Sequence, residues 1–190
     1  MVNMKKILTL LLLLAQWSMF NVQCSMAQGL SEQEMIQKMS AAAEAIKTVR
    51  CDFKQTKHTK MLKEAQVSKG KMSCELPDKL RWEYTSPKAS AIVLDGTSSP
   101  RGTWREAATL IMNSVAGKCL TDSKAFQVSA KEMPTEYVAT LIPLKKDMKR
   151  MYAKIVLHFD TKQSTVTEVE LHESSGDRTI IELHGIHINE

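Results

Sequence analysis

The sequence predicts a mainly β, antiparallel fold with few helices. Apolar residues recur at every second position in segment after segment from Val49 to His184. Only two stretches hold the helical spacing of i, i+3, i+4 and i+7. Turn signals such as Pro77-Asp78 and Asp95-Gly96 separate the alternating runs, and no repeat, linker or low-complexity segment divides them.

The chain begins with Lys5 and Lys6, an apolar run from Ile7 to Ala15, and the triplet Ser25-Met26-Ala27. A short positive start, an apolar centre and a small-x-small end define a cleavable signal peptide, here residues 1–27. The run is about half of the ~20 residues needed to cross a bilayer. Lipid modification of Cys24 is the rival, disfavoured by Gln23 before it. Residues 28–190 then form one domain, expected to work outside the cytoplasm.

Ser31 with Glu34 makes a capping box, and Met35, Ile36, Met39, Ala42, Ala43 and Ile46 follow at helical spacing up to Thr48. From Val49 the period becomes two: Val49, Cys51 and Phe53 face one way and Arg50, Asp52 and Lys54 the other. A polar turn at Thr59 to Glu64 leads to a second strand, where Gly70, Met72, Cys74 and Leu76 share a face. The third strand sets Leu80, Trp82 and Tyr84 against Arg81, Glu83 and Thr85, and Pro87 ends it. Ala91 to Leu94 is an apolar strand, and Thr97 to Gly102 a loop.

Thr103 and Glu106 suggest a second capping box, and Trp104, Ala107, Ala108, Ile111 and Val115 a second helix, closed by Gly117. Leu110 and Met112 make that helix greasier than a surface helix needs. Phe126 to Ser129, Tyr137 to Ile142, Ala153 to Phe159, Thr165 to His172 and Thr179 to His184 alternate again. Ile186 and Ile188 extend a final edge strand. Eight or nine strands and two helices fit a barrel, a half-barrel or a sandwich.

The formal charge is +5, from 26 basic and 21 acidic residues mixed along the chain, so no nucleic-acid footprint stands out. Lys145, Lys146, Lys149 and Arg150 form a cationic loop that would meet an acidic partner, headgroups or only solvent. Methionine is abundant, at 12, and suits either an ordinary core or an adaptable apolar lining. The histidines are scattered; His172 and His184 could oppose each other on a hairpin, but no metal site or cofactor is expected. Neither a G-x-S-x-G elbow nor a phosphate-binding loop occurs, and nothing nominates a carboxylate pair, so the chain does not read as an enzyme.

Cys51, Cys74 and Cys119 follow the leader. A turn centred between Leu62 and Lys63 would set Cys51 opposite Cys74, where they either bridge or remain buried thiols. Cys119 stays free in both cases.

Taken in order, Val49-Arg50-Cys51-Asp52-Phe53-Lys54-Gln55, Gly70-Lys71-Met72, Pro77-Asp78-Lys79-Leu80-Arg81-Trp82-Glu83-Tyr84, Pro87 and Asp95-Gly96 resemble the periplasmic outer-membrane lipoprotein carrier family, LolA-like. That family shows F-x-Q, a G-x-hydrophobic strand, P-x-x-L-R-W-E-Y and D-G in this order. Gly117 to Asp122 before Phe126 is similar to the segment after the family's lid helix. The resemblance implies an incomplete, strongly curved antiparallel barrel covered by an N-terminal helix and a lid helix. It implies a cavity for lipoprotein acyl chains or other lipid, lined by Phe53, Met72, Leu76, Leu80, Trp82, Tyr84, Leu94, Leu157 and Phe159. Trp104, Leu110, Ile111 and Val115 would belong to the lid. An inner-membrane ABC exporter and an outer-membrane acceptor are the implied partners of a monomeric shuttle. Leu76 departs from the arginine that carriers often place before the turn proline to latch the lid. The alternative function is a lipid-binding sensor or structural module on the same fold, and an esterase is a distant third.

Overall fold

The structure is a computed structural model. It describes residues 29–95 and 103–190, with the side chains of 103–107 excepted. The expected leader, the loop 97–102, Gly96 of the Asp95-Gly96 turn, the Thr103–Glu106 box and the Trp104 side chain lie outside the described residues.

Helix α1 spans Glu32–Glu44. Its capping box is formed: Ser31 Oγ accepts from the Glu34 amide at 3.3 Å, and the Glu34 carboxylate accepts from the Ser31 amide at 2.9 Å. Met35, Met39 and Ala43 recur on its buried face. The helix ends earlier than the expected Thr48 because β1 already starts there. Strands β1 (Thr48–His58), β2 (Gln66–Glu75), β3 (Lys79–Ser86) and β4 (Ser90–Asp95) form a meander. Helix α2 (Thr103–Val115) follows, then a 3-10 turn at Lys118–Thr121. The second meander holds β5 (Phe126–Glu132), β6 (Glu136–Pro143), the short helix α3 (Lys146–Met151), β7 (Tyr152–Asp160), β8 (Val166–Glu173) and β9 (Arg178–Ile188).

The nine strands of the described residues join one antiparallel sheet, ordered β4-β3-β2-β1-β9-β8-β7-β6-β5. The two ends do not meet, so the barrel stays open, as the resemblance implies. Register shifts at Arg50/Asp52, Lys69/Gly70, Tyr152/Lys154 and His158/Phe159 mark bulges, and bulges bend the strand that carries them. The expected final edge strand is corrected: Ile186 and Ile188 belong to β9, which pairs with β1 on one side and β8 on the other. Once the β1–β4 meander has formed, β1 still offers a free edge, and β9 takes it.

One face of the sheet holds the core. Val49, Cys51 and Phe53 of β1, Met72 and Cys74 of β2, and Leu80 and Trp82 of β3 lie there. Leu141, Ile155, Leu157, Phe159, Val169 and Ile181 continue it across the second meander. Helices α1 and α2 cover that face with Met35, Met39, Ala108, Met112 and Val115. Gly117 ends α2 with φ +69, a left-handed value that favours glycine, and its missing side chain lets the turn sit against Ala43.

The β1–β2 register pairs Cys51 with Met72 and Cys74 with Val49. The hairpin is therefore centred between Met61 and Leu62, one residue earlier than expected, which displaces the facing partner by two positions. The cysteines become diagonal neighbours on one face, and Cys51, Cys74 and Cys119 are all free and buried. His172 likewise faces Arg178, and His184 faces Asp52, so these two histidines do not oppose each other.

Candidate functional site

The residues expected to line a cavity are brought together, but as a closed core. Phe53 and Trp82 stack with ring centroids 3.9 Å apart, and Tyr84 meets Phe53 edge-on at 5.5 Å. Such contacts add about 0.5–1.5 kcal/mol beyond area burial. Met72 pairs with Trp82, and Leu80 with Leu94, across β2–β3–β4. Leu157 and Phe159 reach the same cluster from β7, while Leu76 and Tyr84 are half-buried at its margin. Of the expected lid residues, Leu110 and Val115 are buried and Ile111 is half-buried. Among the described residues, Trp82 Nε1 is buried without a hydrogen-bond partner, as is Thr59 Oγ1. An indole N–H in an apolar interior is a donor awaiting an acceptor.

Open space lies at the edge of this core. A pocket of ≈ 470 Å³ opens between α2, the 3-10 turn, α3 and the start of β7. Leu110, Phe126, Met148, Met151 and Tyr152 supply apolar walls, and Lys118 and Lys145 stand among its lining residues. The volume falls within the range of small-molecule sites, roughly 300–1,000 Å³. Helix α3 is held in place by Ser174, whose Oγ donates to the Lys149 carbonyl at 2.8 Å and whose amide donates to the Met151 carbonyl at 2.9 Å. Buried Leu110 and Phe126 belong both to the pocket and to the core, so they form the wall between them.

Two polar groups of the pocket, the Tyr152 phenol and the Cys119 thiol, are held in their neutral forms, beside the charged Lys118, Asp122, Lys145 and Asp147. Burial pushes the Tyr152 phenol above its ordinary value, and the Glu173 carboxylate adds to the shift. Burial pushes the Cys119 thiol up to about 11, against a hydrogen-bond contact with Ser114, Sγ to Oγ 3.6 Å. Neutral phenol and thiol suit contact with an apolar ligand.

Sequence reasoning missed Phe126, Met148, Met151 and Tyr152 as pocket residues. The stretch from Lys145 to Arg150 reads as a cationic loop, yet Lys146–Met151 is α3. Its signal was Met148 with Met151 and Tyr152, three and four residues on.

A family model described as outer membrane lipoprotein carrier protein LolA matches residues 44–190. No curated protein sequence matches the chain. Several solved structures are similar. A LolA superfamily protein from Nitrosomonas europaea shares 10% identity at a TM-score of 0.40, covering 85% of this chain and 95% of that one. The MucA/MucB complex of Pseudomonas aeruginosa gives 9% and 0.46, covering 82% and 56%. The lipoprotein LppX of Mycobacterium tuberculosis gives 7% and 0.38, covering 80% and 94%.

Proposed function

The chain belongs to the outer membrane lipoprotein carrier protein LolA family, and from that membership we propose that it is a periplasmic carrier of lipoprotein acyl chains. It takes them from an inner-membrane ABC exporter and gives them up to an outer-membrane acceptor. The observation that carries this reading is the pocket beside α2, which a wall of Leu110 and Phe126 separates from an apolar core. Displacing α2 joins the pocket to the concave face that Phe53, Met72, Leu80, Trp82 and Leu157 now fill. Each CH₂ of an acyl chain buried there contributes about 0.8 kcal/mol. Trp82 Nε1 then finds an acceptor in a lipid carbonyl, and Lys118, Asp122, Lys145 and Asp147 give the pocket a rim of mixed charge. Binding by shape and apolar area needs no catalytic set. No helix among the described residues is long and apolar enough to cross a membrane.

Native mass spectrometry of the protein taken from a periplasmic extract tests the reading, together with uptake of a fluorescent fatty acid. Bound lipid, saturable uptake and release to acceptor vesicles are expected, and Met148→Asp is expected to weaken uptake at least tenfold without changing the fold. Binding without release would favour the sensor reading instead. Absence of both bound lipid and uptake would remove the cavity altogether.

A further inference from the structure

On the opposite face of the sheet, away from the acyl site, two histidines and three glutamates converge. Glu168, Glu170 and His172 alternate along β8 and therefore share the outer face. His158 of β7 stands directly across from Glu168. Glu136 comes from β6. His158 Nε2 lies 3.2 Å from Glu170 Oε1 and 3.7 Å from Glu168 Oε1, while its Nδ1 lies 2.9 Å from Glu136 Oε2. His172 Nε2 lies 2.8 Å from the other oxygen of Glu170. Buried Val138 and Val156 stand on the same face beside the cluster. The His158 side chain is 17% exposed and that of Glu170 18%.

A neutral imidazole carries one N–H and one lone pair. Both ring nitrogens of His158 face carboxylate oxygens, so the contact that the single N–H does not serve takes either a second ring proton or a cation between the two groups. Three ligand atoms, one from each of His158, Glu168 and Glu170, all lie within 4.8 Å of one another. Ligands bound to zinc at about 2.1 Å in tetrahedral geometry stand about 3.4 Å apart. The two Nε2-to-oxygen separations, 3.2 and 3.7 Å, bracket that figure.

We propose that this convergence is a divalent transition-metal site, with zinc its best occupant. His158 Nε2, Glu168 and Glu170 are the ligands, and the fourth position opens to solvent. Glu136 receives the Nδ1–H of His158 and so fixes its tautomer and orientation, the partner that metal-binding histidines usually have. His172 holds the second oxygen of Glu170 and is a positioning residue. Arg178 Nη1, 3.8 Å from Glu170, is 43% exposed and free to turn toward solvent. The single imidazole among the ligands selects against magnesium and calcium, which prefer oxygen alone. Zinc replaces any proton on Nε2, so binding releases it to buffer. The proposal stands independently of the carrier reading, because the two sites lie on different faces.

The test is calorimetric titration of the chelator-treated protein with ZnCl₂ at neutral pH, beside MgCl₂ and CaCl₂. One zinc per chain at micromolar or tighter affinity is expected, with no saturable uptake of the other two ions. Glu136→Gln should weaken zinc binding about 10–100-fold, and His158→Gln and Glu170→Gln at least as much, with far-UV circular dichroism unchanged. Cobalt bound to the unaltered protein should show d–d bands without a thiolate charge-transfer band, a reading that needs no variant. Three results overturn the proposal: no stoichiometric zinc, equal affinity in His158→Gln and Glu170→Gln, or a thiolate band.

Discussion

A single methyl group at Gly70 is expected to break the seam between β2 and β3. Gly70 sits at the register shift beside Lys69, opposite Tyr84, with the Phe53 ring lying over it. A Cβ there would run into the Glu83 carbonyl oxygen, and would stand 2.5 and 2.7 Å from Cζ and Cε1 of Phe53. The ring could rotate away, but only by leaving its stack on Trp82. The carbonyl belongs to a strand paired on both sides and cannot yield alone. Overpacking costs about 1–3 kcal/mol, and a backbone obstacle puts this case near the top. Replacing glycine returns about 0.4–1 kcal/mol through the unfolded chain. The net for Gly70→Ala is a loss of about 2 kcal/mol. For a domain of this size each kcal/mol moves the midpoint by about 2–4 °C, so a fall of about 4–8 °C is expected. Urea and thermal denaturation measure it, and near-UV circular dichroism should report the disturbed Trp82. A variant as stable as the parent, with an unchanged near-UV spectrum, would refute the reasoning.

Cys51, Cys74 and Cys119 should resist thiol reagents in the folded protein and react only on denaturation; a bridged Cys51–Cys74 pair would leave Cys119 alone to react. Burial pushes Cys51 up to about 12 and Cys119 up to about 11, and raises Cys74. The unfolded thiols ionise first, so the folded state holds more protons above pH ~8.5 and stability falls as pH rises from there. The urea midpoint at pH 10 should lie below that at pH 7, and replacing the three cysteines with alanine should flatten that difference. Trp82→Ala should cost about 3–5 kcal/mol of stability, whereas Trp82→Phe, which also removes the unpaired N–H, should cost less yet weaken fatty-acid binding. Should Trp82→Phe bind normally and keep a ligand-induced fluorescence shift, Trp104 is the reporter and Trp82 is only core.

The strands were legible because each has one face against the helices and one toward solvent, as the alternation of Val49, Cys51 and Phe53 with Arg50, Asp52 and Lys54 shows. Their pairing was less so. Register depends on where the chain reverses, and nothing local distinguishes a turn centred after Met61 from one centred after Leu62. The central place of β9 is a property of the whole sheet; Ile186 and Ile188 look the same whether one neighbour or two flank them. The aromatic cluster was identified as apolar and inward-facing, but periodicity does not separate a filled core from an open cavity. The cluster around His158 was invisible for a similar reason. Glu136 and Glu170 are far apart in sequence, and each alone reads as a solvated strand charge.

The position of β9 also orders events in time. On a ribosome, β1 to β4 emerge first and can zip into a meander at once. The strand that completes β1 is made after the other eight. Until it arrives, β1 carries an unpaired edge, and the two meanders have nothing between them to share. A chain that stalls or is clipped before Arg178 would therefore lose more than one strand: it would be left as two half-sheets, each with an additional raw edge open to other chains.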